Sequence, residues 1–393
     1  LLAILVAALV AAPAAAALDP EQKQAIVRLA VKATGLSARE PVRIVAERSL
    51  RFRQLRATLL ERSYPRAAQA HDETVYRALG LLTGGKGTLR TALLRLDDRT
   101  GVYDPRAGIA YVQSGRGERA AALRQAVHAL QDQHFDLGRV RGLPGGRDAT
   151  MAATAASEGH ASLLLGAATA AGPRPGSRLT RFLVLERGFA STVGLRFATD
   201  LHNLGGTPAV RSALRRFPAT TEQVFHIDKF LEREPASKVL LPARAGGMRL
   251  ASTGSFGELD VRALLAVFGV ARLDAAAAGW GGGRSGVYRD SRTEAVLVAL
   301  DWDSAADAAQ WAAAVTAYVR AAFGAAPAAE CGASSCWAPG GRTIAFDRAG
   351  RRTALAVAGG AGRAEALARA AASDRQRPAR RSLESGTQPR VEA

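Results

Sequence analysis

The stretch Arg124-Gln125-Ala126-Val127-His128 lies in a run with helical periodicity, residues 118–134, whose apolar positions are Ala122, Leu123, Ala126, Val127 and Leu130. Residues four apart share one face of a helix, so Arg124 and His128 project together. A histidine in that place is either a metal ligand or a packed core side chain. Arginine stays protonated and has no lone pair to offer a metal, and glutamine has no basic carboxylate with which to draw a proton from water. A second helix, predicted over residues 148–171, carries Glu158 and His160. His134 stands six residues beyond His128, and His160 two beyond Glu158. Neither spacing returns to the same helix face. Cys331 and Cys336 lie five apart in a Gly/Ser loop, where they can close a small disulfide ring, but two cysteines alone cannot build a structural zinc site. The loop Gly84-Gly85-Lys86-Gly87 is too short and wrongly flanked to cradle phosphate and reads as a turn. The stretch Trp280-Gly281-Gly282-Gly283-Arg284 reads as a tight turn into a strand at Gly286.

The segment from Arg124 to Leu137 resembles a group of secreted bacterial proteins whose zincin-type helix reads roughly HELTHALQDQHFDL. His128 and the nine positions Ala129 to Leu137 fit that pattern. The flanks fit in order. Gly101-Val102-Tyr103-Asp104-Pro105 resembles a GFYDP element, and Ser157-Glu158-Gly159-His160-Ala161 resembles an EGDA-like element. Residues Pro218 to Phe230 resemble a PxSTEQxxHPEKY segment, departing from it at Ile227 and Phe230. The resemblance covers roughly residues 40–235.

A zincin-like fold of the gluzincin type is what this resemblance implies for the N-terminal domain: a small sheet, an active-site helix and a following helix. In an HExxH helix two histidines hold one zinc, the intervening glutamate activates the bound water, and a glutamate from the next helix completes the ligand set. Carried over by position, His128 is the second histidine and Glu158 the third ligand. Arg124 stands at the first ligand position and Gln125 at the general base. Both departures remove chemistry. The expectation is an inactive metallopeptidase homologue with no cofactor, in which Arg124 replaces the metal's charge and pairs with Glu158 between helices. A working zinc peptidase with an unorthodox site on His128 and Glu158 stays open as the alternative. His226 falls where a later histidine of related folds stabilises the transition state, or else it braces a loop. Glu222 and Gln223 follow Thr220-Thr221, which reads as a capped helix start.

The rest of the chain must position these groups. It has 393 residues, 48% hydrophobic and 22% charged, which is ordinary for a soluble globular protein of two domains. The formal charge of +18 rests on arginine, because only Lys23, Lys32, Lys86, Lys229 and Lys238 are lysines. Such a surface can attract an anionic envelope polymer, which makes polyanion binding a third reading. The arginines are spread along the chain rather than clustered, so nucleic acid is not favoured. Residues 1–17 read as the apolar core and small-residue cleavage site of an N-terminally incomplete signal peptide, giving a secreted or envelope location. Membrane contact is expected only if that segment is retained.

Periodicity predicts helices over residues 19–34, 49–62, 71–82, 187–204 and 208–215, strands over 42–46 and 93–96, and a hairpin over 101–112. From residue 236 to 373 a second α+β domain is expected. Its strands are read at 238–241, 286–289, 295–300, 343–347 and 353–358, and its helices at 257–268, 304–323 and 363–372. A basic tail, 374–393, reads as disordered.

Overall fold

The computed structural model describes residues 18–373, apart from 86, 116, 167–175, 328–330 and 332–334. Helix α1 (Pro20–Thr34) starts at a capping box: Asp19 accepts from the Gln22 N–H, and the Gln22 side chain accepts from the Asp19 N–H. There follow β1 (Arg43–Glu47), α2 (Ser49–Ser63), α3 (Arg66–Ala78), α4 (Thr88–Leu96), β2 (Gly101–Asp104), β3 (Ile109–Gln113) and α5 (Glu118–Phe135). A 3-10 turn, Leu137–Gly142, leads to α6 (Arg147–Leu165), α7 (Arg178–Arg215), α8 (Thr221–Phe225) and α9 (Ile227–Glu232). The C-terminal part comprises β4 (Arg244–Ala245), β5 (Met248–Ser255), α10 (Glu258–Val267), α11 (Leu273–Ala277), β6 (Trp280–Arg289), β7 (Glu294–Trp302), α12 (Ala305–Phe323), β8 (Ser335–Trp337), β9 (Thr343–Ala349), β10 (Arg352–Ala358) and α13 (Ala361–Ala372).

Two sheets organise these elements into a mixed α+β architecture. The small one has the order β1-β3-β2, with β1 parallel and β2 antiparallel to β3. The large one is antiparallel in the order β4-β5-β6-β7-β10-β9-β8. Strand β7 shows why its sequence is apolar almost throughout. Ala295, Leu297 and Ala299 pack with Ala364 and Leu367 of α13 on one face. Val296, Val298, Leu300 and Trp302 pack with Trp311 and Val315 of α12 on the other. A strand covered on both faces loses the alternation that a half-exposed strand would show.

The core on the α12 side also takes in Val75 and Tyr76 of α3, Leu89 of α4 and Phe182 of α7, so one apolar cluster joins residues on both sides of position 235. A second cluster holds the site helices. Leu123, Ala126, Val127 and Leu130 of α5 meet Ala152, Ala155 and Ala156 of α6 and Phe197 of α7. Helices α6 and α7 touch backbone to backbone. A Cβ on Gly159 would lie 2.0 Å from the Gly194 carbonyl oxygen, and one on Gly194 would lie 2.4 Å from that of Ala155. That contact fixes the stretch of α6 carrying Glu158.

Several sequence expectations change. Residues 93–96 belong to helix α4, not a strand, because Leu89 and Leu96, seven apart, are its buried positions. Residues 238–241 pair with no strand; the sheet begins at β4 and β5. Strand β5 escaped notice because Met-Arg-Leu-Ala-Ser-Thr-Gly-Ser has no β-branched run. The stretch from Trp280 is strand rather than turn. Its glycines let other chain segments approach, since a Cβ on Gly282 would meet the Ser237 carbonyl oxygen at 2.5 Å and one on Gly283 that of Phe256 at 2.2 Å. The helices read at 187–204 and 208–215 both lie within the stretch labelled α7, where two helices meet at a kink because Gly205 and Gly206 are non-helical, the latter at φ 61°; the first of them starts earlier than read, at Arg178. The signal-peptide reading, the end of the helix predicted to residue 171, Lys86 and the tail lie outside the described residues. Among the described residues no helix is long and apolar enough to cross a membrane.

Candidate functional site

Helix α5 presents Arg124, His128 and Gln131 to α6, which presents Ser157, Glu158, His160 and Ser162. Arg124 Nη1 donates to Glu158 Oε1 at 2.6 Å and to Ser162 Oγ at 3.2 Å, and Nη2 donates to the Gly166 carbonyl at 2.7 Å. Residues 158, 162 and 166 are each four apart, so one guanidinium spans three levels of a single helix face. The other carboxylate oxygen, Glu158 Oε2, lies 2.9 Å from His128 Nε2.

The proton positions follow from Gln131, which is fully buried. Its amide nitrogen donates to the Ser157 carbonyl at 3.0 Å and faces His160 Nδ1 at 2.9 Å. A carbonyl only accepts, so this orientation is fixed and both amide hydrogens are used. Gln131 Oε1 then faces His128 Nδ1 at 2.8 Å, and that nitrogen must donate. On the far side Nε2 faces the Glu158 carboxylate, so acceptors stand at both ring nitrogens. His160 is the opposite case. Burial, with the nearby charges of Arg211 and His128, pushes it down to about 4, so it is neutral and accepts at Nδ1. Burial would raise the Glu158 carboxyl, but the bonds and charges of His128 and Arg124 outweigh that and hold it below the usual carboxylate range.

Chemically this is a closed ion cluster. Arg124 supplies its fixed positive charge, and both Glu158 oxygens and His128 Nε2 are engaged within it. Gln125 is buried against β2, with its Cγ 2.9 Å from where a Cβ on Gly101 would lie. It offers no carboxylate to activate water. The remaining polar residues of the same segment tie down neighbouring chain. Asp132 accepts from the Tyr103 hydroxyl at 2.7 Å and from the Leu137 N–H at 2.7 Å. Gln133 Oε1 accepts from the Arg39 N–H at 2.8 Å, and His134 Nε2 donates to the Ser37 carbonyl at 2.8 Å, away from His128.

The segment at Thr220 is also architectural. Thr220 caps α8 by accepting from the Gln223 N–H, and Gln223 donates to the Glu234 carbonyl. His226 Nε2 meets Glu258 Oε1 at 3.0 Å, bracing α10 rather than reaching His128. Glu222, Glu234 and Asp303 bring three oxygens together as a metal site would. Lys229 Nζ occupies their centre at 2.6, 3.1 and 2.5 Å. Cys331, Cys336 and Glu365 form the other such group, in which the two sulfurs are joined as a disulfide.

Sequence reasoning missed a histidine between two serines. His71 Nδ1 lies 2.8 Å from Ser252 Oγ and Nε2 lies 2.9 Å from Ser285 Oγ. Burial pushes His71 down to about 4, so it is neutral with one N–H. Ser285 is buried, and among the described residues its hydroxyl has only this ring to donate to. That places the ring hydrogen on Nδ1, pointing at Ser252. That is the direction a base-activated serine would need, but Ser285 is buried away from any substrate and the other ring nitrogen meets a hydroxyl rather than a carboxylate, so the trio is structural.

A buried charged hub was missed too, because its members are far apart in sequence. Arg147 meets Glu186 at 2.5 Å, Asp260 at 3.1 Å and Asp72 at 3.8 Å. Beside it, Asp148 accepts from the Thr221 hydroxyl at 2.6 Å and the Thr221 N–H at 3.2 Å. Burial outweighs these bonds and pushes Asp148 up to about 7. Its ordinary unfolded value is about 3.9, so the folded chain holds a proton that the unfolded chain releases. Stability from this group is full below about pH 4 and is lost as pH rises through about 7. Asp148→Asn should therefore flatten the fall in stability between about pH 5 and pH 8 by at least about 1.4 kcal/mol, the equivalent of one pKa unit. Urea unfolding at both pH values reads this, and an unchanged slope in the variant would remove Asp148 as its source.

Residues 248–368 match the family model described as a domain of unknown function (DUF8575). The match runs from β5 into α13 and includes none of Arg124, His128 and Glu158. No curated protein and no solved structure matches the chain.

Proposed function

We propose that this chain is an exported, zincin-like protein that has lost metallopeptidase chemistry and acts by binding or as structure at the cell envelope. The observation that carries the reading is the mutual saturation of His128 and Glu158. The ring nitrogen and carboxylate oxygens that a zinc ion would need are bonded to each other and to Arg124. An arginine at the first ligand position supplies charge without a lone pair, and His128 Nε2 is taken up by Glu158. The brace keeps α5 and α6 in the relation that zinc would otherwise impose.

Polyanion binding by charge alone is less well supported, because many arginines are engaged inside the fold. Arg211 donates to the Thr34 and Gly35 carbonyls at the end of α1, Arg178 to that of Ala322 in the last turn of α12, and Arg139 to those of Leu214 and Arg215 at the end of α7.

The test is metal analysis of the purified chain together with peptidase assays with and without chelator. The expected wild-type result is substoichiometric zinc and no chelator-sensitive cleavage. Stoichiometric zinc with such cleavage would overturn the loss of chemistry. The double variant Arg124→His with Gln125→Glu tests the zincin reading itself. It restores both missing groups and is expected to bind zinc near one equivalent while the wild type does not. A folded double variant that still binds no zinc would count against the zincin-like arrangement.

A further inference from the structure

The hairpin β2–β3 holds an excess of positive charge that the fold does not use. Asp104, at the end of β2, is buried, and its two oxygens accept from the Arg106 N–H at 3.1 Å and from Arg62 Nη1 at 3.4 Å. Arg62 comes from the last turn of α2, with its side chain about half exposed, and Arg106 lies exposed in the hairpin turn. A third arginine, Arg141 of the 3-10 turn, lies near enough to feel the charges of Arg106, Asp104 and Arg62. Its Nη1 is buried and has no hydrogen-bond partner. Burial, with the like charges of Arg106 and Arg62, holds its guanidinium below the usual arginine range, although Asp104 opposes this. It remains charged at neutral pH. Among the described residues neither the Arg106 nor the Arg141 side chain has an ion-pair partner.

Three guanidiniums and one carboxylate leave two positive charges and an orphaned buried donor. Leaving such a donor unmet is costly, and guanidinium groups favour oxyanions with several acceptor oxygens. A carboxylate would neutralise one of the two charges. A phosphate dianion matches both and offers oxygens to donors arriving from three elements. We propose that Arg62, Arg106 and Arg141 form a phosphate-binding subsite, taking a free phosphate ion or a phosphate monoester. The proposal does not rest on the loss of metal chemistry, since none of these arginines bonds to Arg124, His128 or Glu158.

Calorimetric titration of the full chain in phosphate-free buffer at fixed ionic strength tests it, with inorganic phosphate, glycerol 3-phosphate and acetate as probes. Saturable binding of one phosphate group per chain is expected, with acetate much weaker. Tighter binding of glycerol 3-phosphate would assign the monoester, and tighter binding of inorganic phosphate the free ion. Arg106→Gln and Arg141→Gln should each weaken binding about tenfold. Arg249→Gln, an equal loss of charge at an exposed position on β5, should leave it unchanged. Arg106 lies in an exposed turn, so its variant reports even if Arg141→Gln fails to fold. No saturable heat, equal weakening by Arg249→Gln, or acetate binding as tightly as phosphate would each overturn the subsite.

Discussion

Glu158→Ala is expected to destabilise the protein by about 3–5 kcal/mol, the range for removing the shared partner of a buried ion cluster. The side chains of Arg124, His128 and Glu158 are 15%, 12% and 22% exposed, so the screened surface value of about 0–1 kcal/mol does not apply. Without the carboxylate, the Arg124 guanidinium and His128 Nε2, both on α5, lose the anion on α6 that they share. Arg124→Met should cost less, because Glu158 keeps His128 and only the bonds to Ser162 and Gly166 are lost with the ion pair. The pH dependence has a definite sign. The Glu158 carboxyl is held below its unfolded value, so its stabilisation is present above about pH 4.5 and is lost as pH falls through the folded value. Urea unfolding of both variants at neutral pH reads the difference. A Glu158→Ala variant within about 1 kcal/mol of wild type would mean that the cluster braces nothing.

The helices of this site were legible because α5 and α6 bury positions at helical spacing, and the pairing of Arg124 with Glu158 could be anticipated from charge and order alone. Gln131 could not. A buried glutamine has no spacing signal, yet it sets the protons of both His128 and His160. His160 does point away from Glu158, as two-residue spacing requires, and joins the cluster only through that amide. The Arg147 hub was hidden for another reason. The partners of Arg147 sit at positions 72, 186 and 260, so nothing local couples them. Strands do stand at 286–289 and 295–300: β7 carries the apolar run that burial on both faces demands, and β6 was legible only through Val287 and Tyr288 beside it.

The arginine excess acquires a structural meaning from the helix ends. Arg211, Arg187, Arg124, Arg139 and Arg178 each donate to carbonyls at the end of a different helix, namely α1, α4, α6, α7 and α12. The last carbonyls of a helix lack internal partners and carry the negative end of its dipole. A guanidinium meets both needs and can span two acceptors, as Arg211 does, where an ammonium offers a point charge. Arg124 is thus one of a set, and the residue that pairs with Glu158 also closes α6.

The second large effect is expected at the Arg147 hub. Arg147→Met should lower stability by about 3–5 kcal/mol near neutral pH, because it removes the cation that Asp72, Glu186 and Asp260 share. Methionine nearly preserves the buried stem, so the loss is mainly electrostatic. These acids come from α3, α7 and α10, and Tyr64 donates to Asp72 while the Gly257 N–H donates to Asp260 at 2.8 Å. Burial already pushes Glu186 up to about 7 against the pull of Arg147, and it raises Asp72 and Asp260 as well. Without the guanidinium all three rise further. Folding then takes up protons, so acidification stabilises the variant relative to neutral pH. The deficit against wild type should shrink from about pH 8 to about pH 5, whereas a packing defect would cost the same at both. Equal losses at the two pH values would assign Arg147 a packing role. A deficit that closes in acid would show that a single guanidinium holds three carboxylates, and with them the helices on either side of position 235, in one folded unit.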